Sequence, residues 1–172
     1  WYVHLVKACV DRCGASWMGD SWLEVKVIKP SYHGDQRNSE WADANQGVNA
    51  TNQRGELVAI IASHGTSELP EDLGLEGELK MPGRPEIAWD NVCVGEVFAP
   101  RALKLSGQEN KRYSDEIGDE DALYQTHIHP HYLLSLANEA LMQEYILPAW
   151  IHVKSKITHR SALRVGNEVL MR

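Results

Sequence analysis

The sequence GDEDALYQTHIHPHYLLSLANEAL at residues 118–141 contains the change from a turn to a long helix on which the fold prediction depends. Gly118 is typical of the residue that ends a preceding helix, and Pro130 is typical of the first turn of the next one. We expect that second helix to end before Pro148. Its apolar residues recur at spacings of three and four, which predicts one buried stripe: Leu133, Leu136, Ala137, Ala140 and Leu141.

Two further helices are predicted on the N-terminal side of this stretch. Ser106 is followed three residues later by Glu109, which forms a capping box, so a short helix is expected from there to about Ile117. In residues 3–13 the apolar side chains also recur every three or four positions, and Gly14 follows them. This pattern indicates an amphipathic helix that ends at the glycine.

Three segments have the pattern of β-strands. Residues 23–29 alternate between apolar and polar side chains and lead into Pro30. Residues 57–62 form a β-rich apolar run, which we expect to be the second arm of a hairpin that turns near residues 53–55. Residues 150–157 alternate again and predict a third strand.

The order of these segments suggests a duplicated unit. A helix precedes Trp22 and an alternating strand, and another helix precedes Trp150 and an alternating strand. A helix followed by an antiparallel sheet is typical of the α+β class. Residues 70–91 are rich in proline, glycine and acids, so they predict a linker between a first half at residues 1–69 and a second half at residues 92–172.

Composition limits the functions that are plausible. The 172 residues include 17 Lys plus Arg and 24 Asp plus Glu, a net charge of −7, which disfavours binding to a nucleic-acid backbone. No apolar run approaches the roughly 18 residues of a membrane span, so no membrane partner is expected. Cys9, Cys13 and Cys93 are an odd number of thiols, typical of a reduced, cytoplasmic protein. Cys9 and Cys13 fit core packing better than zinc.

Several motifs together resemble the MaoC-like hotdog-fold dehydratases. The resemblance is carried by residues 95–100, by residues 113–124, and by His129-Pro130 with the helix that follows. Residues 23–35 with residues 55–59 resemble the sheet half of another hotdog unit, so the chain is similar to a double-hotdog acyl dehydratase with two partial repeats. The resemblance implies an antiparallel sheet wrapped around a central helix, a homodimer, and hydratase or dehydratase activity on acyl-CoA or another acyl thioester without a cofactor.

The family's motif is Gly-Asp-x-Asn-Pro-hydrophobic-His, and this chain matches it in part. Asp119 stands at the aspartate, and Tyr124 stands at the histidine. The resemblance implies that Asp119 is the acid/base, with Tyr124 or His129 as its partner. A tyrosine with a pKa near ~10 can donate a proton but is a poor base.

Substrate contacts are expected around this motif. The helix that starts at Pro130 is expected to polarise the thioester carbonyl with the free N–H groups of its first turn. Lys154, like Lys26, is a candidate for contact with a coenzyme A phosphate. The predicted substrate-binding residues are Gly118, Trp150 and Lys154.

Three alternatives are left open by the residues. His127, His129 and His131 alternate as metal ligands on a strand would, but Pro130 interrupts that geometry, so no metal site is predicted. A non-catalytic hotdog module that binds acyl chains or stabilises a partner subunit needs only a groove. A hotdog thioesterase needs an acid on the helix, for which Glu139 is the candidate.

Overall fold

The computed structural model describes residues 2–19, 21–30, 32, 34–42, 47–64, 79–80, 83–93, 95–148 and 153–171. Two helices are followed by five strands, then by a helical segment and two more strands, which is a mixed α+β order. A one-turn 3₁₀ helix, Ala122–Gln125, precedes the last helix. The other elements are α1 (Tyr2–Cys13), α2 (Ala15–Gly19), β1 (Ser21–Val27), β2 (Arg37–Trp41), β3 (Gly47–Asn52), β4 (Leu57–His64), β5 (Arg101–Lys104), α3 (Gly107–Ile117), α4 (Pro130–Glu144), β6 (Lys154–His159) and β7 (Glu168–Met171).

Strand β1 lies at the junction of the main sheet. The five strands are antiparallel and follow the order β2-β3-β4-β1-β6. Leu23 of β1 is opposite Ser63 of β4 on one side and Ile157 of β6 on the other. Strands from before and after the predicted linker therefore share one sheet, while β5 and β7 form a separate antiparallel pair.

Helix α1 supplies the helical side of the core. Leu5, Val6, Cys9 and Val10 form its buried face, as the helical period predicts. They belong to one apolar cluster with the inward-facing residues of the sheet, which include Leu23 and Val25 of β1, Val48 of β3 and Ile61 of β4. The expected α+β combination of an antiparallel sheet and a helix is confirmed.

Most predicted boundaries are close to the observed ones. The hairpin between β3 and β4 turns at Gly55, whose positive φ of 73° suits a residue without a Cβ atom. Strands β2 and β3 lie in the polar segment 36–56, where the residues have no strand pattern. The strand expected at residues 150–157 begins at Lys154. Residues 149–152, with Trp150, and residues 65–78, 81 and 82, most of them in the predicted linker, lie outside the described residues.

The prediction that the apolar stripe of α4 is buried is wrong for most of its residues. Ala140 is buried, but Leu133, Leu136 and Leu141 are partly exposed and Ala137 is exposed. The helical period predicts which residues share a face, but it does not predict what covers that face. The five-stranded sheet packs against α1, so α4 receives only partial cover from the described residues.

Within the described ranges, none of the helices combines the length and the apolar character that crossing a membrane requires.

We predict that Leu23→Ala destabilises the whole sheet, because Leu23 is fully buried on the strand that joins both parts of the chain. The expected loss is about 2–5 kcal/mol in the free energy of unfolding, measured by urea denaturation. Leu170→Ala is the matched control, since Leu170 is 57% exposed on β7, and it should cost less than about 0.5 kcal/mol. Equal losses in both variants would contradict the central position assigned to β1.

Candidate functional site

Two of the predicted site residues form a buried acid and imidazole pair. Asp119 follows Gly118, whose left-handed conformation ends α3. His129 directly precedes Pro130 and caps the N-terminus of α4. The exposed fractions of Asp119 and His129 are 1% and 0%, and His129 Nε2 lies 3.2 Å from Asp119 Oδ2. The turn after one helix and the cap of the next therefore bring the pair together.

The cap determines which nitrogen of His129 carries hydrogen. The backbone N–H of His131 donates to His129 Nδ1 over 3.0 Å. An imidazole that accepts at Nδ1 has its hydrogen on Nε2, so Nε2–H donates to Asp119. His129 therefore orients the carboxylate and is not arranged to take a proton from water.

The expected role of the first turn of α4 needs correction. Pro130 has no N–H, and the N–H of His131 already donates to the His129 ring. The N–H groups of Tyr132 and Leu133 both donate to the His129 carbonyl oxygen. Because the cap and the backbone occupy these donors, the first turn has no free N–H group for a thioester carbonyl.

The second oxygen of Asp119 contacts a residue that the sequence did not predict. Lys7 Nζ of α1 lies 3.2 Å from Asp119 Oδ1. Burial acts to raise the pKa of Asp119, but the hydrogen bond from His129 and the ion pair with Lys7 outweigh it and hold the pKa below its ordinary value. Asp119 is therefore an ionised carboxylate at neutral pH.

Tyr124 completes a compact group with this pair. It lies on the 3₁₀ helix, it is 4% exposed, and its ring centroid is 4.4 Å from that of His129. Its ring belongs to the main apolar core. Burial, followed by the charges of Asp119 and Asp121, raises the pKa of Tyr124 far above its ordinary value. Tyr124 therefore keeps its proton and can act only as a donor near neutral pH.

Asn110 of α3 fixes the backbone that carries Tyr124 and His129. Its Nδ2 donates to the carbonyl oxygens of Tyr124 (2.7 Å) and His127 (3.0 Å), and its Oδ1 accepts the N–H of His129 (2.8 Å). The side chain is fully buried, so these three bonds replace all contact with water. A single asparagine on a short polar helix gave no signal for this role in the sequence.

A groove of about 540 Å³ opens beside Tyr124. Its wall contains Tyr124 and the buried Ser114, and its remaining lining is mostly charged. Lys111 donates to Asp115 over 2.8 Å. It is the one cation among the described residues of this lining, which also contains the three carboxylates of Asp115, Glu120 and Asp121. The full lining is Gly107, Lys111, Ser114, Asp115, Glu120, Asp121, Tyr124 and Gln125.

Of the other predicted substrate contacts, Gly118 adjoins Asp119 in the chain and Lys154 makes its contacts elsewhere. Gly118 serves as the C-cap of α3, with a φ of 69°. Lys154 of β6 pairs with Glu24 of β1 over 2.5 Å on the exposed side of the sheet. Trp150 lies outside the described residues. Glu139, the thioesterase candidate, is exposed on α4 and accepts a hydrogen bond from Gln143.

The alternating histidines make separate contacts. His127 bonds to Thr126 Oγ1 over 2.9 Å, and His131 bonds to the hydroxyl of Tyr113. Among the described residues, no group of three or more histidine, cysteine or acidic side chains is placed to hold a metal ion. Cys9 is buried in the core, and burial raises the pKa of its thiol to about 12.

No protein family, curated protein or solved structure matches this chain in comparisons with known proteins. A functional assignment therefore depends on the residues and the geometry described above, together with the motif resemblance of the sequence.

We predict that Asn110→Ala destabilises the protein through the backbone groups of Tyr124, His127 and His129. Each buried polar group left without a partner costs about 1–3 kcal/mol, so the loss of all three partners should lower the free energy of unfolding by at least about 3 kcal/mol. Asn167→Ala is the matched control, because Asn167 is exposed and accepts one backbone hydrogen bond from Arg164. Urea denaturation should show a loss below about 1 kcal/mol for the control. Similar losses would remove Asn110 from this role.

Proposed function

We propose that the protein is an acyl-thioester hydratase or dehydratase of the MaoC-like hotdog class, with Asp119 as its acid/base. The observation that carries the proposal is the packing of an ionised carboxylate, an imidazole and a protonated phenol into one buried group. The motif resemblance implies Asp119 and Tyr124, and His129 was the alternative partner expected from its position before the helix.

The chemistry of the three groups suits addition of water to an enoyl thioester. Asp119 takes a proton from water as its oxygen bonds to the β-carbon of the double bond. The electron pair of the double bond moves toward the thioester carbonyl, and Tyr124 donates a proton to the α-carbon. The proton held by Asp119 then returns to the Tyr124 oxygen, so one water is added and both residues are restored.

His129 and Tyr124 have different tasks in this proposal. His129 donates to Asp119 and holds its carboxylate in one orientation. Tyr124 delivers its one hydroxyl proton to the α-carbon, and the N–H groups of the first α4 turn are occupied by other acceptors, so they do not stabilise the enolate oxygen. This division of tasks differs from the one implied by the family motif, in which a histidine stands at the Tyr124 position.

The groove beside Tyr124 is the proposed place for the acyl portion of the substrate. Its carboxylates repel the phosphates of a coenzyme A carrier at short range. The phosphates of such a carrier must therefore lie outside this groove. An assay needs both a coenzyme A thioester and a thioester of the uncharged carrier N-acetylcysteamine.

The proposed assembly is a cytoplasmic homodimer of two partial hotdog repeats. The antiparallel sheet packed on α1 supports one hotdog unit. The apolar stripe of α4 supports dimerisation, because its partly exposed leucines would be covered by a second copy.

We predict a particle of twice the chain mass by light scattering at micromolar concentration. Leu136→Glu should shift it toward the monomer, and a parent protein already monomeric would contradict the dimer.

A second candidate, a non-catalytic acyl-binding module, is favoured by the closure of the pair. Asp119 and His129 are almost fully buried, and both carboxylate oxygens and both ring nitrogens have polar neighbours. If water does not reach Asp119, the buried pair stabilises the fold but does not catalyse hydration. Hydration and binding experiments together distinguish the two candidates.

We predict that Asp119→Asn lowers hydration of crotonyl thioesters by about 100- to 10,000-fold, because the amide cannot accept a proton. Tyr124→Phe should cause a similar loss, since it keeps the buried ring and removes the hydroxyl. Glu116→Gln is the control, because it neutralises an exposed acid of α3 whose ion pair is with Arg112. The rates are followed by the ultraviolet absorbance of the enoyl thioester, with both carriers.

Folding and ligand binding are measured on the same variants. Circular dichroism verifies that each variant is folded, and calorimetry measures binding of a butyryl thioester, which cannot be hydrated. Binding without hydration in the parent protein supports the non-catalytic module. A parent rate unchanged by Asp119→Asn removes Asp119 from the mechanism.

A further inference from the structure

Helix α1 contributes a cation to the buried pair. Lys7 Nζ lies 3.2 Å from Asp119 Oδ1 and 3.0 Å from Asp11 Oδ1. The Lys7 side chain is 39% exposed, whereas the Asp119 side chain is 2% exposed. The ammonium group therefore reaches from the surface to a carboxylate that water barely contacts.

The buried carboxylate needs this cation. The titratable side chains around Asp119 and Tyr124 come from α1, from the segment around the 3₁₀ helix, and from the cap of α4. His129 supplies one N–H dipole, since its Nδ1 accepts from the backbone. Lys7 and His129 both act to lower the pKa of Asp119, and Lys7 does so from α1, among these groups: Lys7, Asp11, Asp119, Asp121, Tyr124 and His129.

We propose that Lys7 is a positioning residue that holds Asp119 as an oriented ion beside His129 and so makes α1 part of the site. Its part in the reaction rests on the proposed function, but its action on Asp119 does not. The ion pair fixes Oδ1, and the His129 hydrogen bond fixes Oδ2, so the carboxylate is held at both oxygens.

The position of Lys7 suits this task. Burial acts to lower the pKa of Lys7, but hydrogen bonds to Asp11 and Asp119 outweigh it and raise the pKa above its ordinary value. Lys7 therefore stays charged over the whole pH range in which Asp119 titrates. Removal of one partner from a pair with a buried member leaves an uncompensated charge, which is costly.

The test is a pH titration of the Asp119 carboxyl carbon by ¹³C NMR in the full chain. In the parent protein the midpoint should lie below the ordinary value for aspartate. In Lys7→Met it should move to higher pH, because the neutral acid no longer competes with an ion pair. Lys7→Arg should keep the midpoint low, since it retains the charge.

Asp11→Asn is the matched control. It removes the other ion pair of Lys7 from α1 while leaving the contact with Asp119 in place. Its Asp119 midpoint should not rise. A rise equal to that of Lys7→Met, or a Lys7→Arg midpoint equal to that of Lys7→Met, would show that packing of α1 and not the charge of Lys7 controls the carboxylate, which overturns the proposal.

Activity adds an independent measurement. If Asp119 acts as an ionised base, the acidic limb of the pH profile of kcat/KM should move to higher pH in Lys7→Met and return in Lys7→Arg. An unmoved limb beside a moved NMR midpoint would overturn the role of Lys7 in the reaction. A parent protein without hydration activity refutes the proposed function, while the NMR titration still decides whether Lys7 acts on Asp119.

Discussion

The pairing of β1 on both of its edges is the constraint on which the other features depend. A strand with β4 on one side and β6 on the other cannot move without breaking two ladders of backbone hydrogen bonds. The chain before β1 forms α1 and packs on the sheet, and the chain before β6 forms α3, the 3₁₀ helix and α4. The shared sheet thus supports the position from which Lys7 of α1 reaches Asp119, far away in sequence.

The buried pair shows a conflict between stability and chemistry. A carboxylate out of water is tolerated only when it is paired and hydrogen-bonded, and Lys7 and His129 provide this for Asp119. The same contacts occupy the atoms that a reaction would use. Proton transfer to Asp119 requires water to reach a carboxylate that is 1% exposed, so movement of Tyr124 or a neighbouring side chain would have to precede catalysis. The groove lined by Tyr124 is the space from which we expect such an approach.

Local signals predicted much of the structure, whereas long-range contacts left no trace in the sequence. Ser106, Gly118 and Pro130 marked helix ends because caps and turns require particular residue types within a few positions. Asp119 and Tyr124 were predicted from the motif and His129 from its position before a helix, and the fold brings the three together. Lys7 and Asn110 were missed, since a surface lysine and a polar helix residue look ordinary until their partners are known. The predicted burial of the α4 stripe was wrong, because periodicity shows which residues share a helix face but not which element packs against it.

The tyrosine at position 124 changes which group can begin a reaction at this site. A histidine there would offer a base near neutral pH, whereas burial and nearby carboxylates keep the Tyr124 phenol protonated. His129 cannot replace that base, because its Nδ1 already accepts a backbone N–H and its Nε2–H points to Asp119. In the proposed hydration, proton abstraction would therefore be the task of Asp119, an ion whose lowered pKa makes it a weak base. Hydration at this site would consequently depend on close positioning of water and acyl group more than on the strength of its base.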